Sequence, residues 1–433
     1  MTRRFMSLVT GGLVLSLALA GCSSDTDQGP QQIELPAGDK QVEILGSFSG
    51  DEATLFEAAL VDVEQRTGVD ITYTPAPNFN QEMSDRIAAG NLPDIALYPE
   101  PNLLLSQKTS MVALDDIVNL PALQDTLVPG MDALARDAQG KTWGLPIRAN
   151  IKSVVWYSQK AFKAHGYTAP TTDAELSALV KKIKADGGTP WCLGIESGSS
   201  TGWTATDWIE DYVLRMSGAE DYRMWAAGEI PFHSDLFNQA ALKFKSVWDP
   251  AGNVAGGAQA VASTSFATVD DGMFTSNPNC YLMRQGSFFT GFLPLNVQEN
   301  MDSEVGVFPL PATEGGTQGV VGRAELAAAF TKDADVQAVL NRMLSDLFGG
   351  TWAKAGGWLS PHITFDGRKY PNETVRSIAA ILYSAQVFVY DASDLMPENV
   401  GNGAFTQSVT KWIKGEMTLD QMTAAIDAAW AAS

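Results

Sequence analysis

The sequence has little histidine, little cysteine and a shortage of positive charge, and each of these narrows what the chain can do. Its three histidines, His165, His233 and His362, lie far apart and match no metal-ligand spacing, which argues against a tight zinc or manganese site. Nothing else in the chain calls for a cofactor, and none is expected. Lys and Arg number 29 against 50 Asp and Glu, a net charge of -21, which argues against nucleic acid or an anionic lipid surface as partner. Beyond the first 20 residues there is no long uncharged apolar run, so the rest is expected to be soluble. Internal repeats are absent, and so is the His-Glu-x-x-His metalloprotease pattern.

The start of the chain carries the compartment signal. Arg3 and Arg4 precede an apolar run over residues 8–20, too short for a permanent span but suited to a signal peptide. Residues 1–21 end in Leu19-Ala20-Gly21 before Cys22, which resembles a bacterial lipobox; that resemblance implies a lipidated Cys22 as the mature N-terminus. Residues 22–39, rich in Ser, Asp, Gln, Gly and Pro, read as a flexible tether. With Cys22 set aside, Cys192 and Cys280 remain as an even pair in an oxidising compartment, and a disulfide between them is expected.

A chain of 433 residues is long enough for more than one core, and two domains are expected. Residues 42–46 form a short apolar run. The following stretch places Phe56, Ala59, Leu60 and Val63 at helical spacing, with Ser49 or Asp51 as cap and Gly68 as stop. Val69, Ile71 and Tyr73 alternate as a strand, a helix with Met83 and Ile87 closes at Gly90, and residues 95–98 make a third strand. This βα alternation implies a largely parallel sheet. It resumes with a strand at 154–157, a Thr172-to-Glu175 capping box, a strand at 191–195 and a helix over 204–216 that turns Trp208, Ile209, Tyr212 and Val213 to one side. The last third is mostly helical, with Thr418 and Gln421 opening the closing helix. The fold class is α/β in two lobes.

Six segments in order resemble the sugar-binding solute receptors of ABC importers, of the maltose and α-glucoside type. They are Val42-Glu43-Ile44-Leu45-Gly46, Ala89-Gly90-Asn91-Leu92-Pro93-Asp94-Ile95, Gly144-Leu145-Pro146 with Val155-Trp156-Tyr157-Ser158, Thr201-Gly202-Trp203-Thr204-Ala205-Thr206-Asp207-Trp208, Gln285-Gly286-Ser287-Phe288-Phe289 and Tyr390-Asp391-Ala392-Ser393-Asp394-Leu395-Met396-Pro397. The resemblance implies a two-lobed periplasmic-binding-protein-like fold with discontinuous lobes and a ligand cleft between them. One lobe would be 40–149 plus 322–368, the other 150–321 plus 369–433. It further implies a non-catalytic, monomeric receptor that captures a small sugar and hands it to a membrane permease, touching the membrane only through its N-terminal lipid.

A sugar needs aromatic platforms beside charged or amide hydrogen-bonding groups, and cleft loops follow the carboxyl ends of parallel strands. The candidates chosen on that basis are Tyr98 and Glu100 after the third strand, and Arg148 at the crossover, with Asn150 and Lys152 as weaker members. Trp203 and Asp207 share a helix face four residues apart, although Asp207 could instead belong to a capping arrangement with Thr204. Gln285, Phe288, Arg323 and the glycine-flanked Trp358 complete the set, with Asp391 and Asp394 as hydroxyl acceptors or turn caps. Thr406 stands where many relatives place a stacking Trp, which points to a smaller or unusual sugar. The competing readings are a polyamine or other non-sugar solute on the same fold and a secreted glycoside hydrolase, which would need two carboxylates flanking the scissile bond.

Overall fold

A computed structural model describes residues 35–433. Residues 1–34, with Cys22 and most of the tether, lie outside the described residues.

The chain opens as its periodicity dictates. Strand β1 (Gln41–Gly46) leads into helix α1 (Asp51–Thr67), which buries Phe56, Ala59, Leu60 and Val63 and ends at Gly68 in the left-handed conformation. Burial of each such side chain contributes about 1.5–3 kcal/mol against leaving it in water. Neither Ser49 nor Asp51 caps α1; Gly50 occupies that place, and no side-chain cap bond forms. Strand β2 (Asp70–Pro75), helix α2 (Phe79–Ala89) and strand β3 (Ile95–Tyr98) follow, with β2 and β3 parallel to β1 on either side of it.

Two ten-residue strands then depart from the parallel expectation. Strand β4 (Ala135–Arg136) pairs with β5 (Thr142–Ile151), and β5 lies antiparallel to β9 (Val320–Ala329), itself antiparallel to β3. The seven-stranded sheet runs β2-β1-β3-β9-β5-β4, with β10 (Phe388–Tyr390) parallel to the first residues of β9.

Beyond β5 the chain enters a three-stranded antiparallel sheet, with β6 (Val154–Ser158) between β7 (Leu282–Gln285) and β8 (Val305–Pro309). Helix α3 (Asp173–Ala185) starts in the expected capping box of Thr172 and Glu175. The strand expected at 191–195 is absent. Trp191 makes only single bridges to Val254 and Leu282, and Ile195 bonds to the Val261 carbonyl. The irregular path is held by the Cys192–Cys280 disulfide. Helix α4 (Trp203–Ala226) runs past residue 216, with a break at Gly218. Helix α5 (Leu419–Trp430) closes the chain from the expected Thr418 and Gln421 box.

Candidate functional site

The centre of the site is a polar face on the two long crossing strands. Along β5 the side chains alternate, setting Arg148 and Asn150 on the face opposite Ile147, Ala149 and Ile151; Asn150 is half-buried, whereas Arg148 and Lys152, one residue beyond the strand, are buried. On β9, Arg323 and Glu325 alternate with buried Ala324 and Leu326. The register sets Arg148 opposite Glu325 and Asn150 opposite Arg323. The result is a patch of guanidinium, amide and carboxylate groups that offers both donors and acceptors.

Each corner of the patch is braced. Arg148 Nη2 lies 3.0 Å from Glu52 at the start of α1, and its guanidinium sits 4.9 Å from the Trp352 ring and 5.5 Å from the Phe48 ring. Asn150 Oδ1 accepts from the Ser287 hydroxyl at 2.7 Å. Arg323 Nε is 3.0 Å from Asp394, and its Nη2 is 3.9 Å from Glu100. Burial pushes the Glu100 carboxyl up despite the pull of Arg323. It also pushes Asp394 up to about 6, with the negative charge of Asp391 adding to the shift. Glu52 and Arg323 keep 52% and 42% of their side chains exposed, so both ends of the patch remain open to a ligand.

Beneath it lies a buried charge network. Helix α4 presents Asp207, Glu210 and Asp211 on one face, at the spacing that makes residues three and four apart neighbours. Lys152 Nζ donates to Asp207 Oδ1 at 3.0 Å and also bonds Asp391. Arg284 of β7 reaches Asp207 at 3.3 Å and donates its Nε–H to Asp211 at 2.9 Å. Asp211 also accepts from Ser153 and Arg215, and Arg215 in turn donates to the carbonyls of Leu310 and Gly319 at 2.9 Å each. Glu210 accepts from the backbone N–H groups of Ala392 and Ser393 at 2.8 and 3.3 Å and from the Tyr222 hydroxyl at 3.2 Å.

Buried charges are tolerated only when their lone pairs and protons are matched. Here the matching ties α4, β7 and the 391–394 turn into one block. Burial raises the Asp207 carboxyl to about 7 against the pull of Lys152. For Asp391 the Lys152 ammonium outweighs burial and holds the group below the usual carboxylate range. Oxygens of Asp207, Glu210 and Asp391 lie within 4.8 Å of one another, a spacing a divalent ion could use, yet the Lys152 ammonium bonds two of these carboxylates.

Trp203, at the first position of α4, is half-buried. Its ring centroid is 5.3 Å from Lys152 Nζ, 5.1 Å from the Phe266 ring and 6.0 Å from the Phe288 ring. Gly202 makes this placement possible: its φ is 113°, and a Cβ there would lie 2.4 Å from the Thr406 carbonyl oxygen.

The structure thus gathers Glu100, Arg148, Asn150, Lys152, Trp203, Asp207, Arg323, Asp391 and Asp394, with Phe288 against Trp203. Other candidates are placed in packing. Tyr98 is fully buried, edge-on to Phe79, with its hydroxyl donating to Gln107 at 2.6 Å. Gln285 is buried on β7, where its carbonyl accepts from the Trp156 indole. Trp358 does not stand exposed between its glycines; its ring fills the space left by the missing side chain of Gly349. Thr406 is buried, and its hydroxyl donates to the Asn402 carbonyl at 2.6 Å.

Sequence reasoning missed Glu52, Glu325, Arg284 and Asp211. A lone arginine within the apolar run before Gln285, and three acids on the apolar helix after Trp203, were the available signals. Residues Gly198-Ser199-Ser200-Thr201-Gly202 do match a hydrolase nucleophile-elbow spacing, but Ser200 is exposed on a single 3₁₀ turn that no strand precedes.

Comparison with known proteins places this geometry. The family model described as bacterial extracellular solute-binding protein matches residues 50–346. The osmoprotective compounds-binding protein GgtB of Synechocystis is 34% identical over 418 residues, covering 95% of this chain and 96% of that protein. The alpha-glucosides-binding periplasmic protein AglE of Rhizobium meliloti is 32% identical over 396 residues, covering 89% and 86%. Among solved structures, the bacterial solute receptor AcbH, described as preferring β-D-galactopyranose, superposes with a TM-score of 0.78 at 15% identity, covering 90% of this chain and 99% of that one. Apo RafE from Streptococcus pneumoniae gives 0.70 at 17% identity, covering 93% and 98%. At such identities these two likenesses speak for the fold alone.

Proposed function

Because this chain belongs to the bacterial extracellular solute-binding proteins, we propose that it captures an α-glucoside or short oligosaccharide outside the membrane and delivers it to an ABC importer permease. The observation that carries the reading is the polar face of Arg148, Asn150, Lys152, Arg323 and Glu325 beside the half-buried Trp203 ring. Sugar hydroxyls accept charge-assisted bonds from the guanidinium groups and donate them to the carboxylates, while a C–H face of the sugar stacks on the indole. The buried network below keeps these groups in place before the ligand arrives, which lowers the ordering cost of binding. The names of the two relatives, one for osmoprotective compounds and one for alpha-glucosides, support a small neutral glucoside.

In this reading the lobes are 40–149 plus 322–368 and 150–321 plus 369–433, and they close on the ligand about the β5 and β9 crossings. Cys22 carries the lipid that holds the receptor at the membrane. A polyamine is the second reading, favoured by the acids Glu52, Glu100, Glu325 and Asp394 around the patch. Arg148 and Arg323 already pair with those acids, which leaves little unbalanced negative charge for a polycation.

A thermal-shift panel of glucose, maltose, trehalose, sucrose, maltotriose, xylo-oligosaccharides and polyamines tests the proposal. A ligand at a hundred times its Kd adds about 2.7 kcal/mol, enough to move the midpoint by roughly 2–4 °C in a protein of this size. A shift with glucosides supports the reading. A shift with polyamines alone overturns it.

A further inference from the structure

Trp203 is the inner end of a chain of aromatic rings that leads to the surface. Phe266 and Phe288 touch it, and each then meets Phe292, at 5.4 and 6.1 Å between centroids. Phe292 is 44% exposed and the nearby Leu295 is 77% exposed, among the most open large apolar residues of the described chain. The track therefore begins 5.3 Å from the Lys152 ammonium and ends in solvent.

This strip differs in chemistry from the polar face. Residues 264–268 and 287–295 contain no charged side chain, in a chain that carries 79 Lys, Arg, Asp and Glu residues. Four of the five hydroxyls that punctuate the strip are already engaged, the exposed Thr268 being the exception. Thr264 donates to the Ala260 carbonyl, Ser265 accepts from the Ala267 amide, Ser287 donates to Asn150 and Thr290 donates to the Ser287 carbonyl. Glu196, bridged to Ser265, commits one carboxylate oxygen, Oε1, to the Gly198 amide at 2.8 Å. A second sugar unit laid here would lose hydration around its rim and find few partners, whereas an apolar group would lose nothing by the transfer. Gly286 lets the Phe288 ring pack against the backbone, because a Cβ there would meet that ring at 2.4 Å.

We propose that Phe266, Phe288, Phe292 and Leu295 form an aglycone subsite, so that the receptor takes glucosides bearing an aryl or similarly apolar group. This rests on the glucoside reading above, with the sugar ring on the polar face and Trp203, and the apolar group directed along the track. It makes the site selective by its second half rather than by the sugar alone.

Isothermal titration of the protein with methyl α-D-glucopyranoside, p-nitrophenyl α-D-glucopyranoside and maltotriose tests it. The aryl glucoside is expected to bind at least about tenfold tighter than the methyl glucoside, the gain from burying one ring on aromatic neighbours. The double variant Phe292→Ser with Leu295→Ser should erase that gain while leaving the methyl glucoside affinity unchanged, with a modest fall in melting temperature because Phe292 also packs on Phe266, Phe288 and Phe289. Equal affinity for the two glucosides in the wild type overturns the subsite, as does a gain that survives the double variant. A gain for maltotriose that the double variant removes would make the strip a sugar platform and also overturn it. If no glucoside binds at all, the receptor reading fails first and this one with it.

Discussion

Arg323 and Asp394 meet at 3.0 Å across the site, one from strand β9 and the other from the turn that follows β10. The pair joins the polar face of the crossing strands to the block built on α4, because Asp394 sits three residues after Asp391, whose carboxylate bonds Lys152 and accepts from the Asp394 amide. Replacing Arg323 with Ala removes a half-exposed donor from the proposed site. We expect sugar affinity to fall about ten- to a hundredfold, the range for one charge-assisted hydrogen bond, with a small change in melting temperature. Titration calorimetry on the variant checks this, and unchanged affinity would take Arg323 out of the site.

Lys152 plays a different part. It is buried between Asp207 and Asp391, and Lys152→Met leaves two carboxylates facing each other without their shared cation. The expected loss is about 3–5 kcal/mol of stability, the usual cost of orphaning a buried charge. Urea unfolding of this variant beside Lys152→Arg separates charge from packing: the arginine variant should recover much of the loss if charge is what counts.

Trp203→Ala should weaken glucoside binding by more than tenfold. The ring is half-buried against Phe266 and Phe288, so the melting temperature should fall only slightly. A collapsed melting temperature with intact affinity would make Trp203 a core residue.

Asp270 supplies a pH test away from the site. It is fully buried, and neither carboxylate oxygen has a hydrogen-bond partner among the described residues. Burial raises the group from its ordinary 3.8 to about 7, with Asp271 adding repulsion. Between those values the folded protein binds a proton that the unfolded chain has released, so stability falls as pH rises through that window. Asp270→Asn should remove this slope and gain roughly 4 kcal/mol over the wild type at pH 8 relative to pH 4. Melting curves across that range decide it; parallel curves for the two proteins would show that the carboxyl finds a partner.

The first βαβαβ unit was legible because Phe56, Leu60 and Val63 carry a clear helical period and Val69, Ile71 and Tyr73 a strand period. Strand β9 was not. Val-Val-Gly-Arg-Ala-Glu-Leu-Ala-Ala-Ala combines helix-favouring alanines with a strand role, and only pairing to β3 and β5 on either side settles it. The same holds in the site. Arg148, Trp203 and Arg323 sit beside motifs a reader can find, whereas Glu52, Arg284 and Glu325 join through pairings between distant strands and helices. Trp358 shows the opposite error: its flanking glycines suggested exposure, but the glycine that matters is Gly349, which vacates the space its ring fills.

The central claim is that the β5 and β9 face holds a neutral glucoside, and the most direct measurement is calorimetric titration of wild type and Arg148→Ala with an α-glucoside. The account predicts saturable one-to-one binding by the wild type, recovery of the sugar unchanged, and affinity at least tenfold weaker in the variant. Binding that ignores Arg148, or a protein that answers only to polyamines, would contradict it.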